Sequence, residues 1–201
     1  MPDPPSSSLF TRFVLENPWP AGILLLAIAA IVAWRELNGG TVRRLAPAGI
    51  AALLGLLVLG AGWAVETSGE HARRVVARFV RDAEAGDVDA MDLLLAPDAA
   101  LALGRADAPG MDRSAVDAAI ATLEGANRIE SNTITRLRGY TADAGTGVVH
   151  LSCLTTTASS YGNVPSHWVI RVRRQTDGSW LIDRLACIEI AGRKPEWGWM
   201  R

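Results

Sequence analysis

"HWVIRVRRQTDGSWLIDRLACIEI", residues 167–190, reads as two strands joined at Asp177-Gly178. In the first arm, His167 to Arg174, the apolar residues Trp168, Ile170 and Val172 fall on one face by simple alternation. The second arm, Trp180 to Ile190, carries Trp180, Ile182, Ala186 and Ile188 on one face, with Leu181, Leu185 and Cys187 on the other. A strand that is apolar on both faces is covered on both. Helices are the expected cover on one side, and a partner subunit on the other.

Upstream, the same period continues. Ile129 to Thr141 and Gly147 to Thr157 (GVVHLSCLTTT) read as two more strands, rich in β-branched residues and joined by a turn at Asp143 to Gly147. Ser159 to Asn163 is a further turn, and Pro165 belongs at the start of the third strand, where a missing N–H costs little. Before the strands the period is helical. Glu70 to Asp87 repeats Val75, Val76, Phe79, Val80 and Ala83 at helical spacing and stops at Gly86. A shorter helix, Val88 to Leu95, is closed by Pro97, and Ala100 to Leu103 is a short strand. A third helix, over MDRSAVDAAIATLEG, has Asp112 as its cap and Gly125 as its stop.

A long helix, the joint "AGDVDAMDLLLAPDAAL", a third helix and a four-strand meander ending in "DGSWLIDRL" resemble the nuclear transport factor 2-like superfamily, a cystatin-like α+β cone. The resemblance covers about residues 70–190. It implies three helices packed on a strongly curved, mostly antiparallel sheet. It also implies a choice of function, because the superfamily holds enzymes (ketosteroid isomerase, scytalone dehydratase, limonene epoxide hydrolase) and many noncatalytic binding domains. Its enzymes set a Tyr with an Asp, or a His with an Asp, at the cavity floor. Here Tyr140, His150 and Asp183 are the candidates of that type, with His167 and Arg184 nearby on the strands. A His150–Asp183 pair tuned by burial could move a proton. The alternative is that both are exposed or satisfied by neighbouring strands. No residue matches a motif of an enzyme family, so no catalytic residue is assigned.

The first third of the chain is different. Pro18 to Trp34 is a run of 17 uncharged residues and Leu45 to Val65 a run of 21. As helices they would span about 26 and about 31 Å at ~1.5 Å per residue, enough for a bilayer core. Trp19, Trp34 and Trp63 lie near the segment ends, where indole rings prefer the headgroup region. A signal peptide would want a basic start, but Glu16 stands beside Arg12 and a second apolar run follows. Core helices of a soluble protein would show a polar stripe, and these show none. The expectation is two antiparallel transmembrane helices (18–34 and 45–65) with a turn at Asn38-Gly39-Gly40. Ala29, Ala33, Ala51 and Gly55 offer small faces for close approach. Arg35, Arg43 and Arg44 in the short loop favour a cytoplasmic loop, which leaves the C-terminal domain outside the cytoplasm. Residues 1–17, rich in Pro and Ser, read as a disordered tail.

Composition excludes several classes. Lys and Arg total 20 against 21 for Asp and Glu, which leaves no basic footprint for nucleic acid. Cys153 and Cys187 have no CxxC spacing and no histidine cluster, so no metal site is expected. They read as two buried thiols, or as one disulfide if the domain is extracytoplasmic. There is no phosphate loop, GxSxG or HExxH, and nothing calls for a cofactor. The acidic run from Asp82 to Asp98 lacks calcium-loop spacing and reads as a solvated surface. The tail 193–201, with Trp197, Trp199, Arg193, Lys194 and Arg201, has the composition of an interfacial segment, and equally of one that packs back on the domain.

These readings converge on an integral membrane protein with an α+β cone over residues 66–192. Its expected role is noncatalytic binding of a ligand or a membrane-protein partner, with a homodimer formed through the sheet face. The rival is a membrane-bound isomerase or hydrolase acting on a small apolar molecule. A third reading is an assembly module of a membrane complex.

Overall fold

A computed structural model of the chain describes residues 19–38, 46–64, 66–125, 127–160 and 162–196. The expected N-terminal tail, the loop turn at Gly39-Gly40 and the Trp-bearing end of the C-terminal tail lie outside the described residues. The chain divides into two compact units, with the boundary between Thr67 and Ser68.

The first unit holds α1, Trp19–Asn38, and α2, Ala46–Ala64. They pack where side chains are smallest. A Cβ added at Gly22 would lie 2.5 Å from the Leu59 side chain, and one at Gly55 would lie 3.2 Å from the Gly22 carbonyl oxygen. Of the small residues expected at this contact, Ala29 and Gly55 are buried, whereas Ala33 and Ala51 are half-buried. The large side chains point the other way: Ile23, Leu24, Ile31, Leu53, Leu56 and Leu57 are all exposed. Among the described residues one helix, Trp19–Asn38, is long and apolar enough to cross a membrane, and the apolar stretch Ala46–Gly60 of the second is shorter.

The second unit is α+β. It runs α3 (Ser68–Ala85), α4 (Val88–Asp92), β1 (Leu95–Leu103), α5 (Arg113–Ala121), β2 (Ile129–Asp143), β3 (Thr146–Thr157), β4 (Val164–Arg174) and β5 (Trp180–Ile190). Asp112 caps α5 as expected, its carboxylate accepting from the Ala115 N–H. Strands β2 to β5 form the antiparallel meander, and β1 adds to β5 in parallel, giving the order β1-β5-β4-β3-β2. The second helix is shorter than its sequence suggests. Leu93 caps it, and Pro97 lies inside β1 instead of closing the helix. An edge strand tolerates a proline, and the β1–β5 register is irregular across it, between Leu95 and Ala100.

The helices cover one face of the sheet. Val76 and Phe79 of α3, and Val116 and Ile120 of α5, meet Leu151, Ile170 and Leu185 of the strands in one buried cluster. Glycine lets α3 seat so close: a Cβ on Gly139 would sit 2.0 Å from the Gly69 carbonyl oxygen, and one on Gly147 would sit 2.3 Å from that of Ser68. Bulges set which residues face this core. Arg171 pairs with Arg184 but Val172 with Ile182, so Asp183 is an extra residue. Ile182 and Leu185 therefore both face the helices, while Ala186 and Ile188 pack with Val169 and Val148 on the outer face. Strict alternation puts Ile182 and Leu185 on opposite faces of β5, and the bulge corrects it.

Candidate functional site

A cavity of about 350 Å³ lies between the helices and the inner face of the sheet. That is at the small end of ordinary ligand sites, roughly 300–1,000 Å³. Its deep wall is hydrocarbon. Phe79 and Val80 come from α3, Met91 from α4, Leu101 from β1 and Ile120 from α5. Each sits there because its element turns an apolar stripe inward, as the sequence period requires.

Polar atoms gather at the shallower end, where the lining residues are half-buried rather than buried. Asn132 of β2 and Thr155 of β3 are cross-strand partners, and the Thr155 hydroxyl donates to Asn132 Oδ1 at 2.8 Å. Ser166 of β4 faces Cys153 of β3, and its Oγ accepts from Trp168 Nε1 at 3.1 Å. Asn127 and Thr122, beyond α5, bond each other at 3.1 Å. Among the described residues, the only titratable side chain in the lining is the Cys153 thiol. Burial pushes it up to about 11, against a hydrogen bond from Asn132 that favours the thiolate. At neutral pH it is a neutral thiol and a poor nucleophile. Cys187 is fully buried on β5, and burial pushes its thiol to about 12. Both cysteines are free, and β4 lies between their strands.

The residues singled out from the sequence lie elsewhere. Tyr140, His150 and Asp183 are absent from the cavity lining. Both His150, opposite Arg138, and Tyr140, opposite Val148, are on the outer face of the sheet. Their rings meet edge to face, with centroids 5.0 Å apart. His150 is 4 % exposed. Burial first, and then the Arg136 charge, hold its pKa below the ordinary value. Asp183 does not meet His150, because β4 separates their strands. Its carboxylate accepts from Arg171 Nε at 2.9 and 3.1 Å, and Arg173 Nε lies 3.7 Å away. Arg173 also reaches Asp98 at 2.8 Å. Asp183 thus ties the bulge of β5 to the two outward arginines of β4. His167 Nδ1 is bonded to Ser152 Oγ at 2.8 Å, and Arg184 donates to the carbonyls of Ala106 and Ala108.

What sequence reasoning missed is the polar end of the cavity. A bulge is the cause here too. Ile134 pairs with Cys153 and Arg136 with Ser152, so Thr135 is the extra residue. Counting back by twos from the inward Leu137 leads to Thr135 and Thr133. The bulge instead turns Ile134 and Asn132 inward. Asn132 in a strand run, among β-branched neighbours, is the one signal that marked the place.

No protein-family model matches the chain, and no curated protein does. Solved structures do. A nuclear transport factor 2-like protein from Cytophaga hutchinsonii is 13 % identical and aligns over 57 % of this chain and 91 % of its own, with a TM-score of 0.47. One from Pseudomonas putida, of unknown function, is 14 % identical over 59 % and 84 %, with a TM-score of 0.48. A third, from Rhodospirillum rubrum, is 16 % identical over 56 % and 93 %, with a TM-score of 0.46. The α+β part of this chain is similar in fold to nuclear transport factor 2-like proteins.

Proposed function

We propose that the chain is a membrane-anchored cup that binds a small apolar molecule without transforming it. The observation that carries this is the cavity lining: a hydrocarbon wall, neutral polar groups at one end, and one thiol held protonated. Such a surface favours transfer of an apolar molecule out of water by about 25 cal/mol per Å² buried. Among the described residues it supplies no acid–base pair to drive proton transfer. The enzyme reading has less behind it, since His150, Asp183 and Tyr140 do not line the cavity and Asp183 is engaged by arginine.

The proposal includes a two-helix anchor with the cup outside the cytoplasm. Its support is the row of exposed large aliphatic side chains on both α1 and α2, a surface that lipid would cover. It also includes a homodimer through the outer sheet face. That face carries the half-buried Val148 and Ile188, with Arg136 and Arg138 on β2, Arg171 and Arg173 on β4 and Glu189 on β5. A two-fold axis along the strands would set the β2 side of one copy over the β5 side of the other.

The test is what the purified protein carries. Full-length chain, and an Ala119→Phe variant that fills the cavity, would be purified in parallel, extracted with organic solvent and analysed by mass spectrometry. A neutral apolar compound enriched in the wild type and lost in the variant is the expected result. Equal extracts from two equally folded proteins would overturn the proposal.

A further inference from the structure

The polar end of the cavity has a directional chemistry. Asn132 and Ser166 stand on β2 and β4, on either side of Cys153 on β3. Ser166 Oγ already accepts from the Trp168 indole, which leaves its own O–H to donate. Asn132 Oδ1 already accepts from the Thr155 hydroxyl, which leaves its amide N–H groups to donate. Two donors therefore flank one thiol, at the edge of a wall that is otherwise hydrocarbon. Asn132 pairs with Thr155, two residues along β3 from Cys153, and Ser166 pairs with Cys153 itself, so at about 4.8 Å between strands and about 3.4 Å per residue the two side chains rise from backbones roughly 12 Å apart, diagonally across β3. An oxygen placed above Cys153 would be within reach of both. Among the described residues no cationic side chain lines the cavity, so none of them offsets the cost of burying an anion. A cation would meet two donors and a thiol, which is worse.

We infer that the cup selects a neutral, compact and mostly hydrocarbon molecule carrying a carbonyl oxygen, and that this oxygen lodges between Asn132 and Ser166 over Cys153. This rests on the ligand-binding reading and narrows it. A bound ligand would cover these donors, and an analogue that lacks the acceptor would leave them without a partner, which discriminates against it. At about 30 Å³ per water-sized group, a cavity of 350 Å³ takes a molecule of on the order of a dozen non-hydrogen atoms.

Three probes of similar shape separate the possibilities: 2-acetylnaphthalene (ketone), 2-ethylnaphthalene (hydrocarbon) and 2-naphthoate (anion). The full chain would be held in lipid nanodiscs, with partitioning into empty nanodiscs subtracted. The readout is protection of Cys153 from N-ethylmaleimide, followed by peptide mass spectrometry, with the fully buried Cys187 as internal reference. The ketone is expected to protect at a concentration about five- to 150-fold lower than the hydrocarbon, the range of two ordinary hydrogen bonds. The naphthoate is expected to be the weakest of the three. Asn132→Leu and Ser166→Ala should each bring the ketone towards the hydrocarbon and leave the hydrocarbon where it was. Ketone and hydrocarbon protecting equally in the wild type would overturn the carbonyl assignment and leave the apolar cup standing. A naphthoate that protects best would overturn it as well. If Cys153 reacts and none of the three slows it, the cup itself falls, and the assignment with it.

Discussion

His150 shows how a single side chain is shaped by where the sheet puts it. It is nearly fully buried on the outer face, against the Tyr140 ring and opposite Arg138, and its pKa is lowered from the ordinary 6.5 by burial and by Arg136. The sign follows directly. As pH falls through 6.5 the unfolded chain takes up a proton that the folded chain refuses. The unfolded state then binds more protons, so stability is full above 6.5 and is lost as pH falls towards the lower folded value. A His150→Gln variant, uncharged throughout, should lose less melting temperature than the wild type between pH 7.5 and 5. Parallel curves for the two would show that this histidine contributes nothing to acid sensitivity. His150 was legible as a strand residue facing away from Val149 and Leu151. Its separation from Asp183 was not, because which strands adjoin is a property of the sheet and not of either strand alone.

At the scale of elements, period 2 located the four strands of the meander to within about two residues, and the helical period with its glycine stops located α3. Bulges were the recurrent failure. Asp183 and Thr135 are ordinary residues for a strand, and the extra residue of a bulge announces itself only through the partner strand it slips against. The parallel pairing of β1 was hidden for a related reason, since Pro97 reads locally as a break. Glycines told more than their turn-forming role suggested. Gly139 and Gly147 look like weak points in strands, and both are where α3 rests. A Gly139→Ala methyl would meet the Gly69 carbonyl oxygen at 2.0 Å, and backbone cannot turn aside as a side chain can. The substitution is expected to cost about 3 kcal/mol or more, at the upper end of overpacking effects. Gly145→Ala, whose methyl would find its nearest atom at 3.7 Å, should stay within about 0.5 kcal/mol of the wild type. Thermal unfolding of both, followed by near-ultraviolet circular dichroism, separates these outcomes. A Gly139→Ala protein as stable as the wild type would mean that α3 does not sit on β2 in this way.

For the molecule as a whole, the governing contrast is between two kinds of surface. The α+β unit hides its aliphatic side chains, and Ile134 and Leu93 are the large ones left exposed among its described residues. The helical pair does the reverse, burying Gly22 and Ala29 and presenting Leu and Ile outward. In water the second arrangement would be costly at about 25 cal/mol per Å² of exposed apolar surface, and in lipid it costs nothing of that kind. Full-length protein should therefore stay with vesicles through an alkaline carbonate wash, and residues 66–201 expressed alone should not. The proposed orientation adds a sharper expectation. The loop between the helices holds Arg43 and Arg44 after Arg35, against one acidic residue, Glu36, and a short loop of this charge is retained in the cytoplasm. Arg73, Arg74, Arg78 and Arg81 follow α2 closely but belong to α3 of a long folded unit, which translocates largely regardless of charge. A reporter active only outside the cytoplasm and fused after Arg201 should then be active, and a cytoplasm-only reporter at the same point should be silent. Replacing Arg43 and Arg44 by Ser should shift the balance towards the opposite orientation. If the cytoplasmic reporter is the active one in the unaltered chain, the four arginines of α3 outweigh the loop, and the cup faces the cell interior.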